Sequence, residues 1–168
     1  MRALILALVL FVSVGLAACS PAVRGSMALA GGDYDLALKH YNEALEKDPD
    51  SAYLRKRIGL TYFAMQDYAR AEASFQDALA HDPAEPEALL YLGLSRIGKG
   101  AHEEGLRRLT AYRWPDKYYH QKFVQEEAKR LLNHPDMPAR EAIRDLQDAL
   151  AQGKLEQERL ERERFMMN

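Results

Sequence analysis

In residues 33–49, DYDLALKHYNEALEKDP, the apolar positions Ala37, Tyr41 and Ala44 recur at steps of four and three, which is one face of an α-helix. The same steps return at Ala71, Phe75 and Ala78 in residues 67–83, DYARAEASFQDALAHDP, and the two stretches align without a gap at a spacing of 34. Gly25, Gly59 and Gly93 keep that spacing, as do Pro49 and Pro83. The pattern predicts units of two antiparallel helices, most complete over residues 52–85. There Ile58, Gly59 and Tyr62 fall on a first helix, and Ala71, Phe75 and Ala78 on a second. Gly59 and Ala71 let two backbones approach where the helices cross, and Tyr62 and Phe75 fill the space beside them. Asp82-Pro83 ends the second helix, because a residue before proline is pushed out of the α region, and Pro86 opens the next at a tolerated first-turn position.

The units on either side are less regular. The first, residues 18–51, keeps its second helix but has Pro21, Arg24 and Ala28 on the first. The third, residues 86–119, keeps Leu89, Leu92 and Gly93 but carries Arg96, Gly105 and Tyr112 where an aromatic and two alanines belong. After Trp114-Pro115 the strict register is lost. Tyr119, Phe123, Ala128 and Leu131 predict a helix over 117–132, NHPDMP breaks the chain, and a last helix starts near Ala139 with Ala142, Leu146 and Ala149 on one face. This reads as a degenerate fourth pair, with a charged tail expected to fray beyond Gly153 and a partner-binding coil as the alternative.

These motifs resemble the tetratricopeptide repeat (TPR), a 34-residue helix-turn-helix unit. The resemblance implies an all-α fold, a short right-handed solenoid of antiparallel helix pairs with extra C-terminal helices over 117–168. It further implies that first helices line a concave groove. By register the groove positions are Tyr53, Lys56, Leu60 and Phe63 in the second unit and Glu87, Leu90, Leu94 and Ile97 in the third, with Ser26 and Leu29 added by the first. A mostly apolar list with a charged rim suits a peptide or helix from a protein partner. The alternative is that these residues are covered from within by the 117–132 helix or the last helix. The aromatic corner Trp114, Tyr118 and Tyr119 is read as a cap on the last helix pair, with a second binding surface as the alternative.

Composition changes the picture at one end. The chain has 168 residues, a formal charge of −2 and 48% hydrophobic side chains, a fraction raised by the first eighteen residues. Arg2, then an apolar core from Ala3 to Val14, then small residues give the layout of an export signal, and no cluster of positive charges follows as for a stop-transfer helix. The run ends at Leu16-Ala17-Ala18-Cys19, which resembles the lipobox of bacterial lipoproteins and holds the single cysteine. That resemblance implies a signal peptide over 1–18 and cleavage before Cys19. It also implies diacylglyceryl and N-acyl lipid on that residue, and a short tether over 19–24 ahead of the repeats at 25–116. Ser20 at the next position resembles the class sorted to the outer membrane, on its periplasmic face.

Without the leader the body holds 22 basic and 25 acidic side chains, so nucleic acid is not an expected partner. Nothing points to an enzyme, a metal site, a cofactor beyond the covalent lipid, or a small-molecule substrate. His40, His81, His102, His120 and His134 stand singly, most of them expected at the surface, and no nucleophile elbow or phosphate loop is present. The combination resembles pilotin and pilus-assembly lipoproteins of the type IV or tight-adherence kind, implying a scaffold for an envelope complex. Alternatives are an adaptor for a cell-wall enzyme, and an accessory lipoprotein of barrel assembly or polysaccharide export.

Overall fold

The computed structural model describes residues 20–167, all of whose regular structure is helical. The leader and Cys19 lie outside the described residues. Eight helices follow in order: α1 (Pro21–Ala30), α2 (Tyr34–Leu45), α3 (Ala52–Ala64), α4 (Tyr68–His81), α5 (Pro86–Gly98), α6 (His102–Thr110), α7 (Tyr118–Leu132) and α8 (Ala139–Met166). Among the described residues no helix is long and apolar enough to cross a membrane.

The 34-residue step governs the three pairs α1–α2, α3–α4 and α5–α6 down to single atoms. A β-carbon added at Gly25 would sit 2.8 Å from the Tyr41 ring, one at Gly59 2.8 Å from Phe75, and one at Gly93 2.8 Å from Leu109. Each glycine thus makes room for the bulky residue sixteen positions on, which is close to fully buried in all three pairs. The turn inside each pair has its left-handed residue at the same step: Gly32 (φ 79°), Gln66 (φ 60°) and Gly100 (φ 92°). The N-cap keeps it as well. The Asp33 carboxylate accepts from the Leu36 N–H at 3.1 Å and Asp67 from the Arg70 N–H at 3.0 Å, while the third position, Ala101, has no side-chain oxygen to offer.

The third pair departs in sequence yet packs closely. Gly105 stands where Ala37 and Ala71 stand, and a β-carbon there would lie 2.6 Å from the Gly93 carbonyl oxygen. Arg96, in the aromatic position, is 9% exposed because its guanidinium is paired on two sides. It donates to Glu72 at 2.9 Å and to Glu104 at 2.6 Å, tying α5 to α4 and α6. Lys99 shares Glu72, and that hydrogen bond, followed by the one from Arg96, holds the Glu72 carboxyl below its usual range against the opposing effect of burial.

The last pair is arranged differently from the others. First helices contact first helices along the solenoid, α1 with α3 and α3 with α5, so a regular fourth pair would put α7 against α5. Instead α7 packs on α6, and α8 takes the place beside α5. The seven residues 111–117 between α6 and α7 form the longest of the links between helix pairs. Gln125 donates to the Tyr112 carbonyl at 2.7 Å and Gln121 accepts from the Trp114 N–H at 3.1 Å, holding that link to α7. The tail expected to fray is helix to Met166. Gly153, which would be a weak point in an isolated helix, lets α8 press on α7, since a β-carbon there would be 2.5 Å from the Tyr119 carbonyl.

Candidate functional site

The concave side narrows to one cleft of about 710 Å³ with walls on α1, α3, α5 and α8. Its floor is apolar: Leu29 from α1, Leu60 and Phe63 from α3, Tyr91 from α5, and Ile143 from α8. Phe63 meets the edge of Tyr91 with ring centroids 5.0 Å apart, and Tyr91 also stacks on the buried Phe75 at 5.8 Å, so the floor is braced by the repeat core.

Arg57, Arg140 and Arg144 stand around that floor against one carboxylate, Glu87. Arg57 is fixed from below: its Nε donates to the Tyr41 hydroxyl at 2.9 Å, and its guanidinium lies 5.6 Å from the Tyr41 ring centroid. Arg140 donates to the Gln66 side chain at 3.3 Å, linking the start of α8 to the turn between α3 and α4. Arg144 is 68% exposed and lies 3.7 Å from Asp145, a carboxylate already engaged by Arg130 at 2.8 Å. Glu87 is paired with Lys56, whose Nζ lies 2.8 Å from it and is shared with Glu85 at 2.7 Å. Burial alone would lower the Lys56 pKa, but the hydrogen bonds to Glu85 and Glu87 outweigh it and raise it, so the amine stays charged. The cleft is therefore greasy at its base and positive at its rim.

Of the two groove residues expected from the first unit, Leu29 lines the cleft and Ser26 accepts from the Tyr41 hydroxyl at 3.1 Å; the eight expected from the second and third units divide. Leu60, Phe63 and Glu87 line the cleft. Tyr53 is exposed at the start of α3, with the Lys56 amine 5.7 Å from its ring centroid. Lys56 is not a free groove cation but a buried strut from α3 to α5. Leu90, Leu94 and Ile97 are not surface either. All three are at most 1% exposed, packed with Val124, Ala128, Ala142 and Leu146 because α7 and α8 cover that part of the concave side. α7 and α8 thus cover Leu90, Leu94 and Ile97 of the third unit, while Leu29, Leu60, Phe63 and Glu87 line the cleft. Of the positions not expected, Tyr91 follows Leu90 on α5, and Arg140, Ile143 and Arg144 belong to a helix whose placement the repeat register does not determine.

The packing positions lie in two smaller clusters toward the N-terminal end. Ala37, Tyr41, Ala71, Phe75 and Ala78 are fully buried and Ala44 nearly so, Tyr62 is partly buried between the two clusters, and Pro49 and Pro83 are exposed at helix ends. Trp114 packs edge-on against Tyr112 and His120, at centroid distances of 6.3 and 4.9 Å, closing the end of the core, whereas Tyr118 is exposed. His120, against the expectation for most of the histidines, is 8% exposed because α8 lies over it at Gly153. Among the described residues no group of three or more His, Cys, Asp or Glu side chains could hold a metal ion.

A family model described as "TPR repeat" matches residues 25–66, and another described as "Tetratricopeptide repeat" matches residues 56–113. Residues 25–113 are tetratricopeptide repeats. The photosystem I assembly protein Ycf3 of Synechococcus sp. (strain WH7803) is 37% identical over 98 residues, covering 55% of this chain and 56% of that protein. The small glutamine-rich tetratricopeptide repeat-containing protein 2 of Saccharomyces cerevisiae is 27% identical over 84 residues, covering 50% of this chain and 24% of that one. The chain spans about half the length of the Ycf3 proteins it matches. Among solved structures, the second TPR domain of human RPAP3, in complex with the HSP70 peptide SGPTIEEVD, superposes with a TM-score of 0.52 at 21% identity, covering 80% of this chain and 96% of that one. The Arabidopsis OM64 TPR domain gives 0.52 at 18%, covering 76% and 92%. At these identities the structures establish the fold. The TPR solenoid is thus shown by sequence and shape together.

Proposed function

We propose that the protein is a membrane-anchored TPR scaffold that holds a segment of a protein partner in the cleft between α1, α3, α5 and α8, assisting assembly of an envelope complex. The observation that carries this reading is the cleft itself, an apolar floor under three arginines, its single carboxylate already paired with Lys56. Such a surface suits an amphipathic segment bearing acidic side chains. The Ycf3 relatives are assembly proteins by name, and the RPAP3 domain holds a peptide containing two glutamates and an aspartate, both consistent with the proposal.

The anchor in this reading is lipid on Cys19, placed in the outer membrane facing the periplasm. α1 starts at Pro21, two residues on, so the tether is shorter than the six residues 19–24 expected from sequence. Multiple acyl chains make such an anchor stable, at about 0.8 kcal/mol per buried CH₂, and the single intervening residue, Ser20, would hold the repeats close to the bilayer. Cys19→Ala should leave an uncleaved precursor that takes up no labelled fatty acid; normal processing of that variant ends this part of the proposal.

For the cleft, a photoreactive side chain at Tyr91 should crosslink a defined partner in cells, and Leu60→Glu should abolish the adduct with the helical content unchanged. The same adduct from a photoreactive group at Ala73, on α4, would show that the cleft is not the binding surface. Leu94→Glu is unsuitable here, because it places a charge in the core and tests folding instead.

A further inference from the structure

Beyond Gly153, α8 leaves α7 behind and continues for thirteen residues to Met166, about 20 Å of helix. Its inner side is partly covered at Glu156, Gln157, Leu160 and Glu163, and Glu161 lies 3.7 Å from Lys117. The outer side carries Leu155, Glu158, Arg162 and Phe165, all exposed, with Leu155 at 64% and Phe165 at 86%. Steps of three, four and three are the seam spacing of a two-helix coiled coil. Large apolar side chains at both ends of an otherwise charged seam are costly to leave in water.

The charges on this tail are sorted. Arg159 is paired with Glu156 at 2.7 Å and with Glu163 at 2.6 Å, along the same helix. Glu158 and Arg162, the two charged residues of the seam, enter no salt bridge among the described residues, and Arg162 donates only to the Glu158 backbone carbonyl at 3.3 Å. The chain's own core does not cover the seam, whose four residues are all exposed on the side opposite Gly153, where α8 meets α7.

We propose that this seam pairs with the seam of a second copy of the chain, antiparallel, about a two-fold axis passing beside Leu160. That axis sets Leu155 opposite Phe165 of the second copy at both ends, and Glu158 opposite Arg162 of the second copy in the two middle layers. One operation thus covers all four apolar residues and pairs all four seam charges with opposite sign, as a two-fold interface requires. A parallel pairing in register would set Glu158 on Glu158 and Arg162 on Arg162, so the charges also select the orientation. The contact is smaller than a stable interface, which buries at least about 1,200 Å², so the dimer dissociates on dilution. Two cleft-bearing solenoids joined by their tails would present two partner sites.

Sedimentation equilibrium of the full chain in density-matched detergent tests this. The wild type should show a concentration-dependent monomer–dimer equilibrium. Glu158→Arg and Arg162→Glu should each weaken it by about tenfold or more, since each sets like charges opposite. The doubly reversed chain should return to within about threefold of wild type, because the pairs are restored with their signs exchanged. These positions are exposed, so circular dichroism should be unchanged throughout. A wild type that stays monomeric overturns the proposal. So does a dimer whose constant ignores the reversals, or one that the double reversal fails to rescue.

Discussion

Gly105 shows how a departure from the repeat pattern becomes a requirement. Ala37 and Ala71 hold this position in the other two pairs, so alanine would be the ordinary choice on pattern alone. In α6 a β-carbon would fall 2.6 Å from the Gly93 carbonyl oxygen and 2.7 Å from the Ile97 side chain. The backbone oxygen cannot rotate away, so Gly105→Ala must spread α5 from α6. Overpacking of this kind costs about 1–3 kcal/mol, more than the ~1 kcal/mol that alanine gains over glycine in a helix. Urea denaturation should therefore show a net loss of stability, and a gain would mean that the third pair is looser than the structure has it. His120 carries a second residue-scale consequence. Burial, then the charges of Lys117 and Lys154, lower its pKa, while Glu158 and Glu161 pull the other way. The native state thus resists a proton that the unfolded chain accepts near pH 6.5. Stability from this site is complete above that pH and is lost as pH falls through it, levelling off once the native imidazole is protonated too. Emission from Trp114, the single tryptophan, follows unfolding from beside the ring. The urea midpoint should drop more between pH 7.5 and 5.5 in the wild type than in His120→Phe, and equal drops would remove His120 as the cause.

At the scale of the element, what could be read in the sequence was whatever recurs at 34 residues. The crossing glycines recur three times, while Pro86 as a helix start and the end of α4 at Asp82-Pro83 follow from local proline chemistry. The placement of α7 and α8 was not readable, although the limits of α7 and the start of α8 were. Ala142, Leu146 and Ala149 mark one apolar face of α8, but spacing along a helix reveals a face without revealing which neighbour it meets. Leu90, Leu94 and Ile97 are assigned to a groove by register and to the core by α8 lying over them. The same recurrence exposes a defect in α6. Asp33, Asp67 and Ala101 share φ near −85° and similar ψ, 81°, 74° and 56°, yet the third has no capping oxygen. Ala101→Asn should satisfy a free N–H of the first turn and stabilise the protein by about 1 kcal/mol. Asparagine is preferable to aspartate because Glu103 and Glu104 already crowd that turn. An unchanged urea midpoint would mean that water caps α6 as well as a side chain does.

For the whole molecule, the start of α8 faces α1 across the cleft, so the site draws on Leu29 from the first described helix and Arg144 from the last. Two kinds of contact are then separable in the kinetics of partner binding. The rim arginines act at a distance through solvent, where screening at physiological salt sets in beyond about 8 Å. The apolar floor acts only after docking. Raising salt from 50 to 500 mM should therefore slow association with an acidic partner segment by roughly tenfold and leave dissociation nearly unchanged. Arg144→Glu should mimic high salt and remove most of the remaining salt dependence, because this side chain is exposed and only loosely paired. Leu60→Glu should do the reverse, speeding dissociation with a smaller effect on association. Binding that ignores salt and Arg144→Glu but fails with Leu60→Glu would reduce the site to its floor. Arg57 and Arg140 would then serve only to brace α3 against α2 and α8 against the α3–α4 turn, as their hydrogen bonds to Tyr41 and Gln66 already do.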